Sequence, residues 1–169
     1  LRPDIHTVPL RGNIDTRMTK VHDGELDAVV LAYAGLSRVH RADEATEVFD
    51  PLEFLPAPAQ GALAVECRAD DADTIAAITT IADSTAYACA HAERVVLARL
   101  EAGCTAPVAA YATVAADNTM TLHAAVIALD GSAALRATAA GPMDTFENLG
   151  MTVAHKLLDD GASSVLAAS

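Results

Sequence analysis

The stretch PVAAYATVAADNTMTLHAAVIALDGSAALRATAAG, residues 107–141, decides the fold. Apolar and β-branched residues alternate there with small or polar ones, which predicts three strands at roughly 108–115, 120–129 and 133–140. The runs are separated by Asp117-Asn118 and Asp130-Gly131, dipeptides that tolerate the positive φ of tight hairpin turns. Connections this short join antiparallel neighbours, so the stretch reads as a β-meander. Upstream, YACAHAERVVLARLEAG continues a helix from Ser84, with Gly103 suited to the position just past its end. Downstream, a helix is predicted over about 143–160, between Pro142 and Gly161, before a short apolar tail, SSVLAAS. Helix, three antiparallel strands and helix form an α+β domain, assigned to residues 83–169, with its helices on one face of the sheet.

The N-terminal part has a different rhythm. DIHTVPL, residues 4–10, reads as a short strand. RGNIDTRMTKVHDG reads as a loop entering a helix that Asn13 or Asp15 can cap and Gly24 can end. ELDAVVLAYAG, residues 25–35, is a valine-rich apolar run expected to be a buried strand parallel to the first. Strand, helix and strand make a βαβ unit, whose ligands gather at the carboxyl ends of the strands. Arg11 and Arg38 fall at that end and Arg17 lies in the intervening helix, so the three could serve one carboxylate or phosphate. The competing reading is solvated arginines paired with Asp15 or Asp23. Pro51, Pro56 and Pro58 then stiffen a connection, and ALAVECR, residues 62–68, is expected as a strand followed by a short helix. The fold class is therefore α/β plus α+β.

Charge and cysteine usage narrow the function. The chain has 169 residues and a net charge of −12, but residues 1–41 hold six Lys/Arg against five acids, whereas the remainder holds five against eighteen. An acidic body of this kind argues against nucleic acid as a partner. No run approaches the roughly 18 uncharged apolar residues of a membrane helix, and LRPDIHTVPLRG lacks the apolar core of a signal peptide, so a soluble cytoplasmic protein is expected. The three cysteines, Cys67, Cys89 and Cys104, are too widely spaced for a disulfide framework or zinc site, and the six histidines form no HxxxH or HxH pair, so no metal is expected. Cys67 and Cys89 read as structural. Cys104 lies in EAGCTAPVA, residues 101–109, on a loop beyond a helix end, where a thiol is displayed.

Four motifs carry a resemblance: RGNIDTR, VVLAYAGLSR, LPAPAQGALAVECR and LEAGCTAPVAAYA, spanning residues 11–112 in this order. Together they resemble the C-terminal part of porphobilinogen deaminase, also called hydroxymethylbilane synthase. The resemblance implies a three-domain enzyme that condenses porphobilinogen into the linear tetrapyrrole hydroxymethylbilane, with loss of ammonia, in heme biosynthesis. It implies a dipyrromethane cofactor held covalently by Cys104, and porphobilinogen and the growing pyrrole chain as partners of a monomeric full-length protein. Each pyrrole ring carries an acetate and a propionate, and Arg11, Arg17 and Arg38 match the family's carboxylate-binding arginines. Leu31 and Ala32 match positions where backbone approaches the cofactor, and Gln60 matches the hinge.

By the same resemblance, residues 1–56 are the C-terminal part of a second domain, the βαβ remnant. Residues 57–82 are the hinge and a segment returning to a first domain. The family's catalytic aspartate belongs to a segment not found among these residues. No catalytic residue is therefore expected here: the chain alone should be inactive, and its apolar surface is a liability for self-association. Asp15 stands where the family has a small residue and is expected to weaken carboxylate binding; Ala59 and Ala102 replace glycines. The alternative is a non-catalytic anion-binding or scaffold module, since the family's first two domains resemble the halves of type II solute-binding proteins.

Overall fold

The computed structural model describes residues 4–103 and 105–168. They fall into two compact units, Leu1–Val48 and Phe49–Ser169.

Unit 1 contains helix α1 (Ile14–His22), helix α2 (Tyr33–Arg38) and a 3-10 turn at Ala42–Glu44. Asn13 caps α1 by accepting from the Thr16 amide at 2.8 Å, and Gly24, at φ +75°, follows its end. Gly35 brings α2 close to α1: a Cβ there would lie 3.3 Å from Ile14 Cδ1. Leu36 is the buried residue among those described in this unit.

The expected βαβ unit is not formed. Residues 4–10 and 25–32 have no regular structure, and α2 begins inside the predicted second strand. A strand is defined by the neighbour that completes its hydrogen-bond ladder, and neither segment has one among the described residues. Instead the amides of Gly35 and Leu36 turn back to the Ala32 carbonyl at 2.9 and 3.2 Å, a helical turn that buries Leu36 while Val30 stays 63% exposed. The predicted strand at 62–68 is corrected for the same reason: it is irregular, with Leu63 and Val65 exposed. Cys67, expected to be structural, is exposed with it.

Unit 2 follows the sequence reading closely. After α3 (Ala72–Thr79) come α4 (Ser84–Arg99), β1 (Val108–Val114), β2 (Thr119–Ile127), β3 (Ala134–Pro142), a 3-10 turn at Met143–Thr145, α5 (Phe146–Asp159) and α6 (Ala162–Ala167). The sheet order is β1-β2-β3, antiparallel throughout, with Ala110 opposite Ala124 and Leu122 opposite Ala139. Both hairpin turns use one device. An aspartate (Asp117 or Asp130) accepts from the amide two residues on, at 3.0 and 2.9 Å, and the residue between (Asn118 or Gly131) takes positive φ. The bond from the Thr119 amide holds the Asp117 carboxyl below its ordinary range, and bonds from the Ser132 side chain and then its amide do the same for Asp130.

Helices α4 and α5 cover one sheet face, and Val96, Met120, Leu122, Val126, Val153 and Leu157 are fully buried between them. Cys89 is half-buried against this core, and burial pushes its thiol up. Both edges of the sheet are engaged. On β1, the Ala110 amide donates to the Pro56 carbonyl and the Ala112 amide to Glu93; on β3, Lys156 Nζ reaches the Thr138 carbonyl at 2.8 Å. The C-terminal tail forms helix α6 after Gly161 turns the chain at φ +98°. Among the described residues no helix is long and apolar enough to cross a membrane.

Candidate functional site

RGNIDTR folds as a hydrogen-bonded cassette. Gly12 sits at φ +126°, and a Cβ there would come within 3.0 Å of Thr16 Cγ2, so the turn needs glycine. The Asn13 side chain accepts from both the amide and the hydroxyl of Thr16, at 2.8 and 2.9 Å. Arg17 bends back so that its Nε donates to the Gly12 carbonyl at 2.8 Å. That bond fixes the guanidinium plane and leaves the Nη edge as a fork whose geometry suits a carboxylate. Arg11 is exposed immediately before the cassette.

The second motif places Leu31 and Ala32 ahead of α2, both half-buried, with Ala32 at the N-cap position and Arg38 exposed as the last residue of the helix. The Gly35–Ile14 approach sets α2 against the start of the helix that carries Arg17. A residue that sequence reasoning missed reinforces this arrangement. Arg41 pairs with Asp15 in the first turn of α1 and with both carboxylate oxygens of Glu44. The hydrogen bond from Arg41 holds the Glu44 carboxyl below its ordinary range. Asp15 therefore has a cationic partner of its own, which bears on the expectation that it would weaken carboxylate binding. An Asp at the start of α1 and an Arg 26 residues later carry no sequence signal that pairs them.

Gln60 stands exposed in a tight double turn in unit 2. The Gln60 amide donates to the Ala57 carbonyl at 3.0 Å and the Ala62 amide to Ala59 at 3.1 Å, with Ala59 at φ +60° and Gly61 at φ +87°. Glu93 in α4, 7% exposed, accepts from the Ala59 amide at 2.6 Å and from the Ala112 amide at 2.8 Å. It too was missed. The available signal was its spacing: Glu93 lies four residues after Cys89 and seven before Leu100, on the core stripe of α4.

Burial raises the Glu93 carboxyl above its ordinary 4.5, against the opposing effect of the two amide donors. A raised folded-state pKa means that its contribution to stability is present below 4.5 and is lost as pH rises through the higher folded value. Urea unfolding of wild type and Glu93→Gln between pH 4 and neutrality should therefore show wild type losing stability relative to the variant as pH rises. A constant difference would contradict this assignment.

Helix α4 ends at Arg99, five residues before Cys104 in the sequence. The expected Gly103 stop is replaced by Glu101, which takes φ +53°, with its amide donating to Ala98 and that of Ala102 to Leu97, both at 3.1 Å. This is a Schellman termination. Its register is set by Leu100, which is buried, and Ala102, which packs on the core, so the chain stops where those side chains enter. Cys104 lies outside the described residues. Among the described residues no group of three His, Cys, Asp or Glu could hold a metal ion.

Two family models match this chain. Residues 1–76 match the one described as "Porphobilinogen deaminase, dipyromethane cofactor binding domain", and residues 87–159 match "Porphobilinogen deaminase, C-terminal domain". A Corynebacterium diphtheriae protein named porphobilinogen deaminase is 64% identical over 166 residues, covering 98% of this chain and 56% of that protein. Proteins of the same name from Corynebacterium efficiens and Thermobifida fusca are 58% and 50% identical, over 98% and 99% of this chain and 56% and 55% of their own lengths. The chain thus spans little more than half the length of these relatives.

Proposed function

Because the chain belongs to the porphobilinogen deaminase family, we propose that it is the part of such an enzyme that carries the dipyrromethane primer and receives the carboxylates of the growing pyrrole chain. The whole protein then condenses four porphobilinogen molecules into hydroxymethylbilane, releasing ammonia, in cytoplasmic heme biosynthesis. The observation that carries this reading is the pair of family models over residues 1–76 and 87–159.

Roles follow by residue. Cys104 carries the thioether to the cofactor, whose chemistry is to offer a pyrrole terminus for elongation. Arg11, Arg17 and Arg38 bind acetate and propionate groups, Leu31 and Ala32 approach the cofactor through their backbone, and Gln60 acts at the hinge. The donor set suits a polyanionic ligand: Arg17 is anchored through Nε by the Gly12 carbonyl, Arg11 is exposed beside it, and Arg41 engages the nearby Asp15. Residues 1–56 belong to the second domain, 57–82 to the hinge and a returning segment, and 83–169 to the C-terminal domain.

The family's catalytic aspartate has no counterpart among these residues, so the 169 residues alone are inactive. Co-expression with the N-terminal portion of the Corynebacterium diphtheriae relative should restore ammonia release from porphobilinogen, with neither piece active alone. No release from a folded pair would instead favour an anion-binding scaffold.

A further inference from the structure

Glu93 is a buried acid in the middle of a helix with both carboxylate oxygens engaged by backbone amides far along the chain, Ala59 at 2.6 Å and Ala112 at 2.8 Å. Hydrophobic packing alone would not select it, because an apolar residue of similar size avoids the desolvation of a charge. What Glu93 does is fasten the turn at residues 57–62 to the outer edge of β1. That edge holds the segment at two points. The Ala110 amide donates to the Pro56 carbonyl at 3.0 Å, and two residues on, the Ala112 amide and the Ala59 amide share the Glu93 carboxylate. Ala59 is held at φ +60°, a conformation an alanine adopts only when its surroundings impose it. The following residue, Gln60, is displayed with its side chain exposed.

We propose that Glu93 is a positioning residue: by clamping the Ala59 amide to the edge of β1 it fixes the turn that presents Gln60. The inference rests on the reading of Gln60 as a residue of the cofactor-binding hinge. Loss of either oxygen frees one amide. Glu93→Ala frees both, and Glu93→Gln keeps one acceptor while turning an NH2 toward the other amide.

The test uses the full-length holoenzyme with Glu93→Ala, Glu93→Gln and Gln60→Ala, comparing amide hydrogen exchange with steady-state kinetics. Glu93→Ala should speed exchange of the Ala59 amide at least tenfold while α5 and β2 stay protected, and should change kcat/KM in the direction that Gln60→Ala does. Glu93→Gln, the milder variant, should give intermediate values and serves if the alanine variant does not fold. Unchanged exchange at Ala59 in both variants overturns the clamp. Faster exchange with unchanged kinetics, where Gln60→Ala alters them, overturns the positioning role. If Gln60→Ala alters nothing, the Gln60 reading itself has failed, and the exchange result still decides whether Glu93 clamps the turn.

Discussion

Gly150→Val should destabilise unit 2 by about 3 kcal/mol or more, at the upper end for overpacked cores. Gly150 is buried in α5 where that helix crosses α4, and even a single Cβ would meet the Ala92 carbonyl oxygen and Val95 Cβ, each at 2.7 Å. The first of these atoms is backbone, so no rotamer change relieves the clash. The helices must move apart, and Val96, Val153 and Leu157 lose contact as they do. The control is Gly141→Ala, where a Cβ would lie 3.6 Å from Leu149 Cδ1, an ordinary contact. Thermal unfolding should show a drop of roughly ten degrees or more for Gly150→Val and little change for Gly141→Ala. Equal midpoints for the two would contradict the helix crossing described above.

Arg17→Leu in the full-length protein should lower kcat/KM for porphobilinogen roughly tenfold to a hundredfold. The magnitude is that of a hydrogen-bonded charge pair, about 1.5–3 kcal/mol. Arg17 is pre-aimed by the bond from its Nε to the Gly12 carbonyl, so little side-chain freedom is lost when a carboxylate binds its Nη edge. Arg17→Lys keeps the charge but not the fork and should recover only part of the loss. Because the same residue ties down the Gly12 turn, the unfolding midpoint must be measured alongside. A kinetic loss at unchanged stability assigns the effect to ligand binding, and unchanged kcat/KM in Arg17→Leu would remove Arg17 from the site.

The C-terminal unit was legible in the sequence because its signals are local. Asp117-Asn118 and Asp130-Gly131 each fix a turn within a few residues, and the alternation between them selects the buried face. The N-terminal unit was misread because a strand depends on its neighbour: residues 25–35 have the composition of a buried strand, yet without a ladder partner the run folds into α2 at Tyr33. The stop of α4 was misplaced by two residues because burial of Leu100 and Ala102 outweighed the preference of glycine for positive φ.

In the candidate site, the cassette around Asn13 was readable, since cap and arginine lie within a few residues of each other. Arg41 and Glu93 were not. Apart from Glu44, three residues from Arg41, their partners lie 26, 34 and 19 residues away, and only the fold identifies those.

The central claim is that Cys104 carries a covalent pyrrole cofactor, and the mass of the full-length protein tests it most directly. Electrospray spectra of wild type and Cys104→Ser, run beside a colour test for dipyrromethane, should show wild type heavier than its sequence by two linked pyrrole units and colour-positive. The Cys104→Ser protein should have its sequence mass and give no colour. A wild-type protein of unmodified mass with full turnover, or a Cys104→Ser protein still carrying the adduct, would contradict the account.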